Sequence, residues 1–160
     1  MSSQNEAIFR GKGLSLRIPE RVFSAWNDCS QVEMLTPEGF GVIIGSRTKA
    51  RNEYWVDNIT TPYSGDQATR SSFKLQDTNH QKLVDMAFQR SGGTCIYLGI
   101  WHTHPELAPM PSTVDKKDWV ACIRRNPGRQ LFFVIVGLNE IRVFVRSRWC
   151  LGFTQLKKDG

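Results

Sequence analysis

The chain has 160 residues, 40% hydrophobic and 22% charged, which is the balance of one soluble globular domain with a full core. No stretch approaches the roughly 20 apolar residues of a membrane span. Met1 to Glu6 carry no apolar run of a secretory leader, so a cytoplasmic protein with no membrane association is expected. The net charge of +6 is spread out, with mild clusters at Arg124 and Arg125, at Arg142, Arg146 and Arg148, and at Lys157 and Lys158. Solubility is its first reading and an acidic protein partner its second. Nucleic acid comes last, because no zinc knuckle, RNP-like aromatic pattern or long basic run supports it. The cysteines Cys29, Cys95, Cys122 and Cys150 form no C-x-x-C pair and read as reduced, mostly buried side chains.

In chain order, the alternation of Leu14 to Ile18 predicts a short strand. Pro19 suits the first position of a helix running to Val32. Phe40 to Gly45 is an apolar run read as a buried strand, with Glu53 to Ile59 as an antiparallel partner. Asp66 to Phe73 is polar and turn-rich. A helix is expected from Asp77 to Arg90, with Leu83, Met86 and Ala87 at helical spacing and Gly92–Gly93 as its stop. Cys95 to His102 reads as a central strand. Pro105 to Pro111 holds three prolines and must be a rigid loop. Ser112 opens a helix to Arg125. Strands follow at Leu131 to Val136, Ile141 to Val145 and Trp149 to Leu156. The expectation is one α/β domain over residues 1–160, six or seven strands in a mixed sheet flanked by three helices.

The chemistry concentrates in Trp101-His102-Thr103-His104-Pro105, followed after six residues by Ser112 and then Asp115. Two histidines two apart on a strand share a face. Two imidazoles and one carboxylate are a standard catalytic zinc set that leaves a fourth position for water. Ser112-Thr113-Val114-Asp115 also has the form of a helix capping box, and that reading stays open. The water would need a general base. Glu38, at the start of the apolar strand, is the best candidate; Glu33 competes, and Glu106 lies in the proline-rich loop with no predictable direction. His80 reads as a helix-surface or capping residue. The five tryptophans read as core, with Trp101 on the strand face opposite the ligands.

These residues carry a resemblance. E-x-x-G-x-x-x-G at Glu38, Gly41 and Gly45, followed by H-x-H-P and S-x-x-D at His102, His104, Pro105, Ser112 and Asp115, resembles the JAMM motif of MPN/JAB-domain metalloproteases. The likeness covers residues 10–156 and implies an MPN/JAB fold of the cytidine-deaminase-like kind. It implies a zinc isopeptidase or peptidase, with zinc on His102, His104 and Asp115. Glu38 would move the proton and Ser112 would donate to the oxyanion. Within the family the chain is similar to compact bacterial JAB proteins, among them the deconjugating proteases of anti-phage CBASS operons. The implied partner is a protein conjugated through its C-terminus, either a ubiquitin-like protein or a cyclic-oligonucleotide synthase. A zinc amidase or peptidase acting on a small carrier protein and a non-catalytic scaffold are the alternatives. Thr60 to Phe73 and Glu106 to Pro111 are the expected walls of a channel for an extended tail.

Overall fold

The computed structural model describes residues 5–48, 50, 52–148 and 152–160. Eight strands close into one mixed barrel in the order β1-β10-β9-β8-β7-β3-β4-β2. They are β1 (Glu6–Gly11), β2 (Leu14–Pro19), β3 (Phe40–Arg47), β4 (Glu53–Ile59), β7 (Ile96–Thr103), β8 (Phe132–Val136), β9 (Ile141–Arg146) and β10 (Phe153–Lys158). The pairs β2–β4 and β7–β8 are parallel and the others antiparallel. A two-stranded hairpin, β5 (Gln67–Ala68) with β6 (Phe73–Lys74), stands apart from the barrel. Three helices accompany the sheet: α1 (Glu20–Asp28), α2 (Asn79–Arg90) and α3 (Thr113–Arg125).

The alternation of β7, β8 and β9 sorts their residues between two cores. Phe9, Leu16, Ile18, Ile43, Val134 and Val143 fill the barrel interior, and α1 adds Val22 and Trp26 to this cluster. These two lie one helical turn apart, so one face of α1 is buried. A second cluster lies outside the barrel, where α3 lays Trp119 and Cys122 on Phe133, Ile135 and Phe144. Trp119 stacks on Phe133 with ring centroids 4.9 Å apart, so it is a core residue. Trp101 also belongs to the interior, on the strand face opposite His102, and its indole donates to the Thr60 carbonyl.

Several expectations are corrected. The sheet is mixed, as expected, but it also closes into a barrel, because β1, absent from the expected strands, pairs with both β10 and β2. The signal was present: Ala7 and Phe9 alternate inward, and Lys12 and Gly13 at φ 52° and 73° make the tight turn into β2. Pro19 ends β2 and caps α1 from extended backbone, and so is not the first helical residue. The helix stops at Asp28 instead of Val32, since Gln31 is drawn into a buried polar network described below. Met86 is 40% exposed despite its helical spacing. Cys29 and Cys95 are half-buried, and only Cys122 of the described cysteines is fully buried. The last strand begins at Phe153; Trp149 to Leu151 lie outside the described residues. No described helix is long and apolar enough to cross a membrane.

Candidate metal centre

Three local devices bring three side chains to one point. His102 sits near the end of β7 and His104 just beyond it, two residues on and therefore on the same face. Asp115 is the third residue of α3, and Ser112 is that helix's N-cap. The Ser112 hydroxyl accepts from the Asp115 amide at 3.1 Å, and the Ser112 amide donates to Asp115 Oδ2 at 2.7 Å. The capping box is therefore real. It also orients the carboxylate: Asp115 Oδ1 stands 3.2 Å from His102 Nε2, and Oδ2 stands 3.2 Å from His104 Nε2. Capping and ligand geometry are one arrangement.

The donor set fits a small divalent ion. The two Nε2 atoms face each other at 3.0 Å. Ligand atoms held tetrahedrally at zinc–nitrogen bond length lie about 3.3 Å apart, close to these edges. Two imidazole nitrogens that close, each beside a carboxylate oxygen, are a set of electron-pair donors that one cation satisfies together. All three residues are buried, and they form the one group with metal-binding geometry among the described residues. Burial holds the His102 imidazole below its ordinary pKa, in the neutral form a ligand must take. Burial opposes charge on Asp115, but hydrogen bonds from both histidines and the Ser112 amide outweigh it and hold the carboxyl well below the usual range. Burial likewise opposes charge on His104, and there too Asp115 prevails, with Glu106 and Glu38 adding to it.

Glu38 reaches the same place through strand register. Phe40 pairs with His102 in the antiparallel β3–β7 ladder. Continued two residues, that register sets Glu38 opposite His104 on the same face. The Thr103 amide donating to the Gly39 carbonyl at 2.9 Å keeps the strands together there. Glu38 is buried, which pushes its carboxyl up to about 7; His104 pulls against this and Asp115 adds to it. Gly41 and Gly45 explain the rest of that motif half. A Cβ at Gly41 would lie 1.9 Å from the Thr60 carbonyl oxygen, and one at Gly45 would lie 1.8 Å from that of Trp55.

Other predicted residues fall elsewhere. Glu33 is exposed, and its carbonyl accepts from Arg70 and from the Thr36 amide. Glu106 does have a direction, 3.7 Å from His104 Nδ1, because its loop is pinned by the Leu138 amide donating to the Glu106 carbonyl. His80 is neither on the helix surface nor a cap. It is 2% exposed, with Nδ1 at 2.5 Å from the Thr60 hydroxyl and Nε2 at 2.6 Å from Asp66. It ties the segment carrying the β5–β6 hairpin to β3, whose Val42 amide donates to Thr60 Oγ1. Phe73 of that hairpin stacks on Phe40 at 4.7 Å and lies 5.4 Å from the His102 ring. It also borders a groove of about 1070 Å³ between α2, α3 and β7. Sequence reasoning had no motif that singled out Phe73, Gln31 or Thr103.

The family described as prokaryotic homologs of the JAB domain matches residues 29–150. A Vibrio cholerae protein named CD-NTase/cGAS isopeptidase is 43% identical over 74% of this chain and 73% of its own length. An Escherichia coli protein of the same name is 34% identical over 78% of the chain and 77% of its own length. The fold resembles the solution structure of a Desulfitobacterium hafniense protein, with a TM-score of 0.60 at 20% identity over 86% of this chain and 87% of that one. With the match spanning both motif halves and most of the barrel, the chain belongs to the family of prokaryotic JAB-domain homologs.

Proposed function

We propose that this protein is a zinc-dependent isopeptidase that releases a CD-NTase, or a similar protein conjugated through its C-terminus, and so reverses conjugation in anti-phage defence. The observation that carries the reading is the convergence of His102, His104 and Asp115 with the buried carboxylate of Glu38 opposite His104. The names of the Vibrio cholerae and Escherichia coli relatives supply the substrate class.

His102, His104 and Asp115 would hold the ion. Bound there, zinc supplies Lewis acidity toward a carbonyl and lowers the pKa of water to about 7. Glu38 would take a proton from the attacking water at its carboxylate and return it to the departing amine as the carbon–nitrogen bond breaks. Burial beside the apolar start of β3 favours the protonated form of that carboxyl, which suits it to hold the proton between the two transfers. In the cap the Ser112 hydroxyl acts as an acceptor, which leaves its proton free to donate to the developing oxyanion. The β5–β6 hairpin and the Glu106–Pro111 loop stand on opposite sides of β7, one braced on β3 and the other on the β8–β9 turn. They are the walls between which an extended tail would lie.

The test is intact-protein mass spectrometry of a conjugate incubated with the protein, alongside a chelated sample and Glu38→Ala. A single cut after the last residue of the conjugated protein, absent from both controls, is the expected result. A cut that survives Glu38→Ala overturns the assignment of the base. No cut with zinc bound favours a scaffold.

A further inference from the structure

Between the two histidines, on the opposite face of β7, lies Thr103, and its hydroxyl begins a buried polar chain. Thr103 Oγ1 accepts from the Gly39 amide at 2.8 Å and donates to Gln31 Oε1 at 2.9 Å. Gln31 Nε2 donates to the Thr36 carbonyl at 3.1 Å and to the Arg70 carbonyl at 2.8 Å. Gln31 is 1% exposed and Thr103 0%. Both protons of the Gln31 amide are used, and the Thr103 hydroxyl both accepts and donates. A satisfied buried network of this kind specifies one geometry.

Glu38 sits inside this clamp. Thr36, two residues before it, and Gly39, one residue after it, are both tied to Gln31, directly or through Thr103. The Glu38 amide donates to the Thr69 carbonyl at 2.8 Å, beside the Arg70 carbonyl that Gln31 also holds. Arg70 Nη1 returns a bond to the Glu33 carbonyl at 2.6 Å. The segment 31–39, the hairpin turn at 69–72 and the ligand strand are thereby joined at one side chain.

We propose that Gln31 is a positioning residue that fixes Glu38 against the metal ligands and couples the hairpin turn to it. The inference rests on the reading of Glu38 as the base. Gln31→Met keeps the length of the side chain and removes its polar bonds; Thr103→Val breaks the same chain from the other end. Native-state hydrogen exchange of the zinc-loaded protein is the first measurement. Amides of Glu38 and Gly39 should exchange at least about tenfold faster in both variants, while core amides such as Trp101 and Val134 keep their rates. Steady-state cleavage is the second: kcat should fall about 10- to 100-fold, the scale of a small misplacement of a reacting group, with zinc content unchanged and any rise in KM smaller than the fall in kcat. Unchanged exchange at Glu38 and Gly39 overturns the proposal, as does a loss carried by KM alone. Uniformly faster exchange across the barrel overturns it too, by making Gln31 a general stabiliser. A wild-type protein that cuts no conjugate overturns the proposed reaction instead, and is recognised because the local exchange contrast persists.

Discussion

At the scale of single residues, the burial of Glu38 carries a cost in stability that the proposed role of a base would explain. Its carboxyl sits at about 7 because folding removes it from water. A carboxyl whose folded pKa lies above its unfolded value costs nothing below the unfolded value, costs progressively more as pH rises from there to the folded value, and costs its full amount above it. Without metal, Glu38→Gln should therefore raise the stability of the protein at pH 8 by about 1–3 kcal/mol. The gain should shrink as pH falls from 7 and vanish near pH 4, below the ordinary carboxyl value of 4.5. Thermal melts of the chelated proteins across that range check this. A pH-independent difference would mean that the carboxylate is not desolvated in the folded chain.

At the scale of elements, the site depends on contacts that no element makes alone. The β5–β6 hairpin has only two residues in each strand and no place in the barrel. Its position is set by Asp66, which accepts from the Tyr63, Gln76 and Asp77 amides, and by His80, which bridges Asp66 to Thr60. His80→Leu should cost about 2–3 kcal/mol in urea unfolding, because the Thr60 hydroxyl and Asp66 lose a buried partner. Hairpin amides should loosen most. A reading of His80 from its helix alone makes it a helix-surface or capping residue; the partners that bury it lie 14 and 20 positions away.

At the scale of the whole molecule, zinc held by His102, His104 and Asp115 would link strand β7 to helix α3 across the outer core. Anything that binds the folded state alone stabilises it by mass action, about 2.7 kcal/mol at a hundredfold excess over Kd. For a chain of 160 residues that corresponds to a rise in Tm of about 5–10 °C. Zinc should produce this rise in the wild type and in Glu38→Gln, and not in His102→Ala. An equal rise in His102→Ala would place the ion elsewhere.

The histidine pair and the capping box were legible in the sequence because each expresses short-range geometry, whereas Gly41 and Gly45 were picked out only through the resemblance. A two-residue strand period sets His102 beside His104, and a first helical turn joins Ser112 to Asp115. The mixed sheet and the three helices were legible for the same reason, through local periodicity and breakers. The closure of the barrel by β1 was not drawn from the sequence, although Ala7 and Phe9 alternate. A strand so short acquires its place only from partners at both ends of the chain. Tertiary structure alone decided that Glu38 lies opposite His104, that Gln31 leaves its helix to bind Thr103, and that His80 is buried. Each depends on the register of strands and segments distant in sequence, and the apolar pattern of a strand names its buried face without naming its neighbour.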